Sequence, residues 1–364
     1  MKPIRFLMLG GFLGAGKTTA IGKLAAHYVS QGKNVALVTN DQAYDLVDTH
    51  TLRAQGFNVG EVPGACFCCK FDDLIDTVGS MSAEQTPDIV IAEPVGSCTD
   101  LVATVIQPMR ELFGDRFEIG PLVVLLKPNH GKKILSETQG KGFSPKAEYI
   151  FLKQLEEADS IAVNKIDRLS EQEQAELLGL VGQRFPDVKC FGLSSKTGAG
   201  FEDLITAVEA EPTKRNKMME MDYVTYAEGE AELGWLNCQV AASSDERFSL
   251  DEVVLKLVGQ IGAKLADANH EVAHLKVLGQ TLNDAAVANL VGSTEAAELS
   301  LASEIKPTSA DLLVNARVAV DPDQLRSIVL SVTEELASEL NITLTVGNIQ
   351  SFRPGKPEPT HRSQ

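Results

Sequence analysis

An α/β domain with a mostly parallel sheet flanked by helices, followed by a smaller α+β domain, is the fold that this 364-residue sequence predicts. Three observations carry the prediction. Up to about Pro212, short apolar runs alternate with helical patterns, the order expected of a parallel sheet covered by helices. A glycine-rich loop, Gly11-Phe12-Leu13-Gly14-Ala15-Gly16-Lys17-Thr18, joins the first apolar run to the first helical pattern. After a polar, proline-marked and basic stretch, Glu211-Pro212-Thr213-Lys214-Arg215-Asn216-Lys217, the pattern changes.

Taken in order, residues 4–9 form a first strand, the helix after Lys17 runs to about Ser30, and residues 35–38 form a second strand. Residues 88–92, 122–126, 160–163 and 190–193 supply four more. Their near-continuous apolar character suits strands buried on both faces. Past the basic stretch come a strand over 234–240, a helix over 250–265, strands over 274–278 and 311–318, a helix over 323–340 and a strand over 342–346. That βαββαβ order is the split βαβ sandwich of ferredoxin-like domains. Residues 281–309, rich in Ala, Ser and Thr, read as an insertion between the middle strands. The expected division is therefore a first domain over 1–211, a linker over 212–222, a second domain over 223–352 and a frayed tail over 353–364, where Pro, Gly and polar residues dominate.

Composition narrows the class of function. Hydrophobic residues make up 44% and charged residues 23%, as in folded globular proteins. The net charge is -17, and from Asp222 onward 21 acidic residues face 10 basic ones, which argues against a nucleic-acid partner. No apolar run reaches the ~18 residues a membrane span needs, and the apolar start reads as a buried strand rather than a leader. Of six cysteines, Cys66, Cys68 and Cys69 are crowded together while Cys98, Cys190 and Cys238 are scattered. Crowded thiols cannot all bridge one another, so a disulfide framework is excluded and a reducing cytoplasm is expected.

The glycine-rich loop matches G-x-x-x-x-G-K-[ST] between a strand and a helix, the setting in which backbone N–H groups and a helix N-terminus cradle phosphates. Gly11, Gly14, Ala15, Gly16 and Thr19 shape the cradle; Lys17 reaches the β and γ phosphates, and the Thr18 hydroxyl holds Mg²⁺. Asn164-Lys165-Ile166-Asp167 follows the fifth strand, where a carboxylate at Asp167 accepts from guanine N1–H and the 2-amino group. Adenine would leave that acceptor unpaired, so GTP is the expected nucleotide. Asn164 braces the loop, Lys165 stacks on the base, and Ser195 and Lys196 lie where the guanine oxygen is contacted. Glu93 and Gly96, after the third strand, suit a Mg²⁺-linked carboxylate and an N–H that senses the γ-phosphate. Asp41 supplies a carboxylate for a first switch, with Asp45 and Asp48 as alternatives. No residue stands out as hydrolytic base, so GTP hydrolysis is expected to be slow without a partner or metal.

Cys66, Cys68 and Cys69 lie in a loop opened by Val62-Pro63-Gly64. Three thiolates turned toward one point select a soft ion such as Zn²⁺ or Cu⁺. A closed zinc site wants four ligands, leaving one position for water, Cys98, a carboxylate or a ligand from another protein. Structural zinc, a redox thiol site and plain apolar burial are the competing readings of the same residues.

Gly11 to Thr19, Cys66-x-Cys68-Cys69, Glu93-x-x-Gly96 and Asn164-Lys165-Ile166-Asp167 stand in the order and spacing of the CobW-like GTPases, related to HypB and UreG, and over about residues 4–210 the chain resembles that family. After Asn40 it reads Asp-Gln-Ala-Tyr, nearer to the UreG switch than to the Glu-Phe-Gly usual in CobW-like members. The resemblance implies a GTP-driven metallochaperone or activator that inserts a metal or cofactor into a client metalloenzyme. It puts Lys17, Thr18 and Glu93 in the GTPase machinery, makes the three cysteines ligands for Zn²⁺ or Co²⁺, and places the cysteine loop near the switches. A GTP-dependent homodimer is a further expectation. The alternative is a GTPase switch that assembles or reactivates a cofactor-dependent enzyme, with a merely structural thiol loop.

Overall fold

The computed structural model describes residues 2–364 except 43–46, 85, 137–143, 212–217 and 294. Asp45, the alternative switch carboxylate, and most of the expected linker lie outside the described residues. The chain forms two compact units, Met1–Gln42 with Gly56–Gly229 and Lys356–Gln364, and Ala43–Gln55 with Glu230–Gly355.

The first unit is an α/β layer structure. Its strands are β1 (Ile4–Gly11), β2 (Val35–Asp41), β3 (Asn58–Pro63), β4 (Ile89–Glu93), β5 (Phe117–Leu126), β6 (Ser160–Val163) and β7 (Lys189–Gly192). They pair in parallel in the order β3-β2-β4-β1-β5-β6-β7. Its helices are α1 (Lys17–Ser30), α3 (Phe71–Glu84), α4 (Gln107–Phe113), α5 (Pro128–Leu135), α6 (Pro145–Glu156), α7 (Glu171–Arg184), α8 (Phe201–Glu209) and α9 (Tyr223–Glu230); a π-turn spans Val102–Ile106. Phe6, Leu7, Leu9, Leu37, Val90, Ile91, Val123 and Ile161 are fully enclosed, as helices on both faces require. β1 sits between β4 and β5: the chain first crosses from β1 to β2 on the β4 side, and later crosses from β4 past β1 to β5 on the other. Ligands of open α/β sheets bind at that switch point, beyond the carboxyl ends of the strands.

β3 is an element the sequence reading passes over. Only Val59 and Val62 of its six residues are buried, and Gly60 and Pro63 read as turn residues. Both suit an edge strand: Pro63 needs no ladder partner, and a Cβ at Gly60 would lie 2.5 Å from the Thr77 side chain of α3. The first unit also reaches further than the expected boundary at 211–222. Tyr149 Oη accepts from the Asp222 N–H at 2.8 Å, and Tyr223 Oη donates to Asp100 Oδ2 at 2.7 Å, so α9 begins inside it. Residues 356–364, expected to fray, are hydrogen-bonded to the same unit: the Thr360 N–H donates to Cys68 O at 2.8 Å and the Ser363 N–H to Ala103 O at 2.9 Å.

The second unit contains α2 (Val47–Ala54), β8 (Gly234–Ser243), α10 (Leu250–Asp267), β9 (Val272–Gln280), β10 (Ala285–Leu290), β11 (Glu298–Leu301), β12 (Ser309–Val318), α11 (Pro322–Leu340) and β13 (Thr343–Phe352). Its antiparallel sheet runs β11-β10-β9-β12-β8-β13. The four strands β9-β12-β8-β13 with α10 and α11 are the ferredoxin-like arrangement, and the presumed insertion adds β10 and β11 beyond β9. Alternate residues of β12 divide the faces: Leu312, Val314 and Ala316 join the core under α10 and α11, and Leu313 packs with Val47, Leu278 and Val287. Asn315 Oδ1 accepts the Val47 N–H at 2.9 Å, capping the start of α2. Among the described residues, no helix is long and apolar enough to cross a membrane.

Candidate nucleotide site and metal centre

β1 runs into the glycine loop at Gly11, whose φ of 134° and close approach to β5 exclude a side chain: a Cβ there would lie 2.4 Å from Leu125 O. Gly14 and Gly16 also take positive φ, 76° and 91°. The loop therefore curls back over the N-terminus of α1, where the first-turn N–H groups and the helix dipole favour an anion. Lys17 Nζ donates to Gly11 O at 2.9 Å, which holds the ammonium across the loop. Ala15 is buried within the turn and Thr19 faces outward on the first turn of the helix.

The Thr18 hydroxyl donates to Glu93 Oε1 at 3.0 Å, both residues being buried. A hydroxyl and a carboxylate side by side at a phosphate-binding helix fit a small divalent cation that prefers oxygen. Asp41 closes β2, two residues beyond Thr39, which pairs with Glu93 in the sheet. A Cβ at Gly96 would lie 2.7 Å from Leu13 Cδ2, so the turn after Glu93 rests directly on the phosphate loop. Gln154 of α6 secures this turn by donating to Gly96 O at 3.0 Å and Cys98 O at 2.8 Å.

The second loop closes the site from the β6 side. Asn164 Nδ2 donates to Ala15 O at 2.7 Å, and its Oδ1 accepts from Ser195 N at 2.9 Å and Ser195 Oγ at 3.0 Å. One buried amide thus ties three loops together. Lys165 takes φ 61°, a left-handed turn that lifts its side chain out of the strand direction. Asp167 accepts from Ser194 Oγ at 2.5 Å, and Lys196 O accepts from Lys23 Nζ at 2.8 Å. The structure therefore gathers the expected nucleotide residues at the carboxyl ends of β1, β2, β4, β6 and β7.

The thiol loop follows β3 and leads into α3. Gly64 takes φ 91°, its N–H donating to Asp41 O at 3.1 Å, and the Cys69 and Lys70 N–H groups donate to Cys66 O at 3.0 Å each. The three sulfurs lie within 4.8 Å of one another, at 2.8 Å for Cys66–Cys68, 3.2 Å for Cys66–Cys69 and 3.8 Å for Cys68–Cys69. Thiolates bound to tetrahedral zinc at ~2.3 Å stand about 3.8 Å apart, so the Cys68–Cys69 pair has that separation and Cys66 would need to move outward by about 1 Å. Thiol donors Cys68, Cys69 and Cys98 hold Cys66 well below the usual thiol range. Sharing that anion pushes Cys68 up, and Cys69 up to about 11. Three sulfur donors facing one point fit a soft cation.

Asn40 is the residue sequence reasoning missed. It directly precedes Asp41, and its amide donates to Val62 O and Ala65 O at 2.7 Å each while accepting from Phe67 N–H at 2.8 Å. All three partners belong to the end of β3 and the thiol loop. No local sequence signal marks this role, because its partners are 22 to 27 positions away.

A parallel sheet carrying a phosphate loop, a linked guanine-type loop and a carboxylate at the end of β4 defines a P-loop GTPase. The chain belongs to the CobW/HypB/UreG family, whose nucleotide-binding-domain model matches residues 5–189, just over half of it. It is 31% identical over 173 residues to the zinc chaperone YeiR of Escherichia coli K12, covering 46% of this chain and 48% of that protein. It is 34% identical over 97 residues to the zinc chaperone CobW of a Sinorhizobium species, covering 24% and 27%. The chain thus spans half or less of the curated relatives it matches. Among solved structures, Zn(II)-bound YjiA GTPase from E. coli aligns over 91% of this chain and 99% of its own at 15% identity, with a TM-score of 0.39.

Proposed function

We propose that this protein binds GTP with Mg²⁺ and couples its hydrolysis to the capture and release of a transition metal, Zn²⁺ or else Co²⁺, at Cys66, Cys68 and Cys69. The recipient is a client metalloprotein in the cytoplasm. The observation that carries this reading is Asn40, whose three hydrogen bonds fasten the thiol loop to the strand ending in the switch carboxylate Asp41. Any shift of that strand end with nucleotide state is passed to the sulfurs. The zinc-chaperone names of the two curated relatives agree with this reading.

In this reading Lys17 and the loop N–H groups offset the phosphate charge, and Thr18 and Glu93 hold Mg²⁺ with Asp41 nearby. The Gly96 N–H responds to the γ-phosphate, Asp167 selects guanine, and Lys165, Ser195 and Lys196 enclose the base. Mg²⁺ supplies charge stabilisation for phosphoryl transfer. GTP moves the metal equilibrium only if the two nucleotide states hold the metal unequally.

Zinc affinity measured by competition with a chromophoric chelator should differ at least about tenfold between the GDP and GTP-analogue states, a coupling near 1.4 kcal/mol. Replacing Cys66, Cys68 and Cys69 together with Ser should abolish it. Equal affinity in both states would overturn the coupling and leave a GTPase with a structural thiol loop. A nucleotide-dependent homodimer belongs to the same proposal, checked by the mass in solution with GDP and with the GTP analogue.

A further inference from the structure

The thiol loop is in contact with residues far away in sequence. Cys66 and Cys68 are buried, and Cys69 is the partly exposed member of the three. The Cys69 side of the cluster is where residues 358–363 run. The Glu358 N–H donates to Cys69 Sγ at 3.2 Å; Thr360 donates from its N–H to Cys68 O at 2.8 Å and from its Oγ1 to Cys69 O at 3.3 Å. His361 meets the Phe71 ring edge-on at 5.0 Å, at the start of α3. Pro357 and Pro359 flank Glu358, restricting the segment to an extended path before it docks and leaving the Glu358 N–H as the donor of that stretch.

The far end of the segment is fixed by a buried charge. Arg362 Nε donates to Asp100 Oδ2 at 2.8 Å, and Arg362 Nη2 to Met219 O at 3.1 Å. Asp100 is 1% exposed, has a φ of 63°, and its Oδ1 has no hydrogen-bond partner among the described residues. A carboxylate so enclosed depends on its cation and on Tyr223. Asp100 also lies four residues past Gly96, at the end of the turn that rests on the phosphate loop, and its carbonyl accepts from Thr104 N at 3.0 Å and Thr104 Oγ1 at 2.7 Å.

We propose that residues 358–363 are a strap closing the metal centre, and that the Arg362–Asp100 pair is its latch, released when the Glu93–Asp100 turn moves with the nucleotide. The inference rests on the metal-coupling reading above and adds what controls entry and exit. With the strap docked, the Cys69 sulfur and the carbonyls of Cys68 and Cys69 are engaged, and an incoming chelator or client thiol meets the strap first. With it lifted, Cys69 is open to ligand exchange.

The test is the rate of zinc transfer from the full-length, zinc-loaded protein to a chromophoric chelator, measured nucleotide-free, with GDP and with a GTP analogue and Mg²⁺. The wild type should show rates at least about tenfold apart between its slowest and fastest states. Arg362→Ala and Thr360→Pro should release zinc at the fast rate in every state, and Arg362→Lys, which keeps the charge, should retain the difference. Thr360→Pro removes both Thr360 strap bonds and leaves the Asp100 pair in place, so it separates the strap from a general loosening around an uncompensated carboxylate. Wild-type rates in Thr360→Pro in all states, with nucleotide dependence intact, would overturn the strap alone, whatever Arg362→Ala does. A wild type that holds no more zinc than the triple Ser protein would overturn strap and metal reading together.

Discussion

Asn40 engages both ends of its amide with the thiol loop, and Asn164 does the same between the phosphate loop and the Ser194–Ser195 turn. Only the second was legible in the sequence, because it stands in a four-residue motif whose chemistry is local to a base. Asn40→Ala leaves two carbonyls and one N–H without partners in a largely buried setting, a loss of roughly 2–4 kcal/mol by the usual cost of unsatisfied groups. Urea unfolding should register that loss, and zinc affinity should fall while GTP affinity changes less, since Asn40 touches the thiol loop and not the phosphate loop. A variant that unfolds like the wild type and binds zinc equally well would show that Asn40 does not position the cysteines. The cysteines themselves were readable as a cluster. Their unequal proton affinities were not, since those follow from sulfur separations that only the folded loop sets.

At the scale of elements, strongly apolar strands and capped helices were legible, and the marginal pieces were not. β3 carries two buried valines among Gly, Asn, Glu and Pro, and β10 and β11 lie in a small-residue stretch whose alternation is faint. α2 is eight residues long with a polar sequence, too short to be stable alone; packing of Val47 on Leu278, Val287 and Leu313 and the Asn315 cap hold it. The residue that caps the C-terminus of α6, Glu157, shows how a helix end can carry a pH response. Desolvation pushes its carboxyl up to about 8 despite bonds from the Val102 N–H and the Thr99 hydroxyl, with the Asp100 charge adding to the rise. The folded state thus keeps a proton that the unfolded chain releases near 4.5, so its contribution is complete below pH 4.5 and is lost as pH rises toward 8. The ceiling is about 1.4 kcal/mol per pH unit. Unfolding curves at several pH values should show Glu157→Gln flattening that slope between pH 5 and 8; parallel curves would mean Glu157 ionises normally in the fold.

Over the whole molecule the two units exchange segments. Residues 43–55 group with the second unit and residues 356–364 with the first. Composition gave no sign of either, since a polar helix and a proline-rich ending look alike whether docked or loose. A protein cut after Gly229 should therefore lack a folded α2, with Val47 and Leu52 left exposed. Amide exchange should find residues 47–54 unprotected while β1, β4 and β5 stay protected; protection of α2 in the shortened protein would show that it needs no sheet beneath it.

The interleaving also sets an order of assembly during synthesis. The phosphate loop and the cysteines leave the ribosome early, but α2 waits for β12 and the segment over Cys69 waits for nearly everything else. Cys69 is therefore synthesised 289 residues ahead of the Glu358 N–H that meets its sulfur.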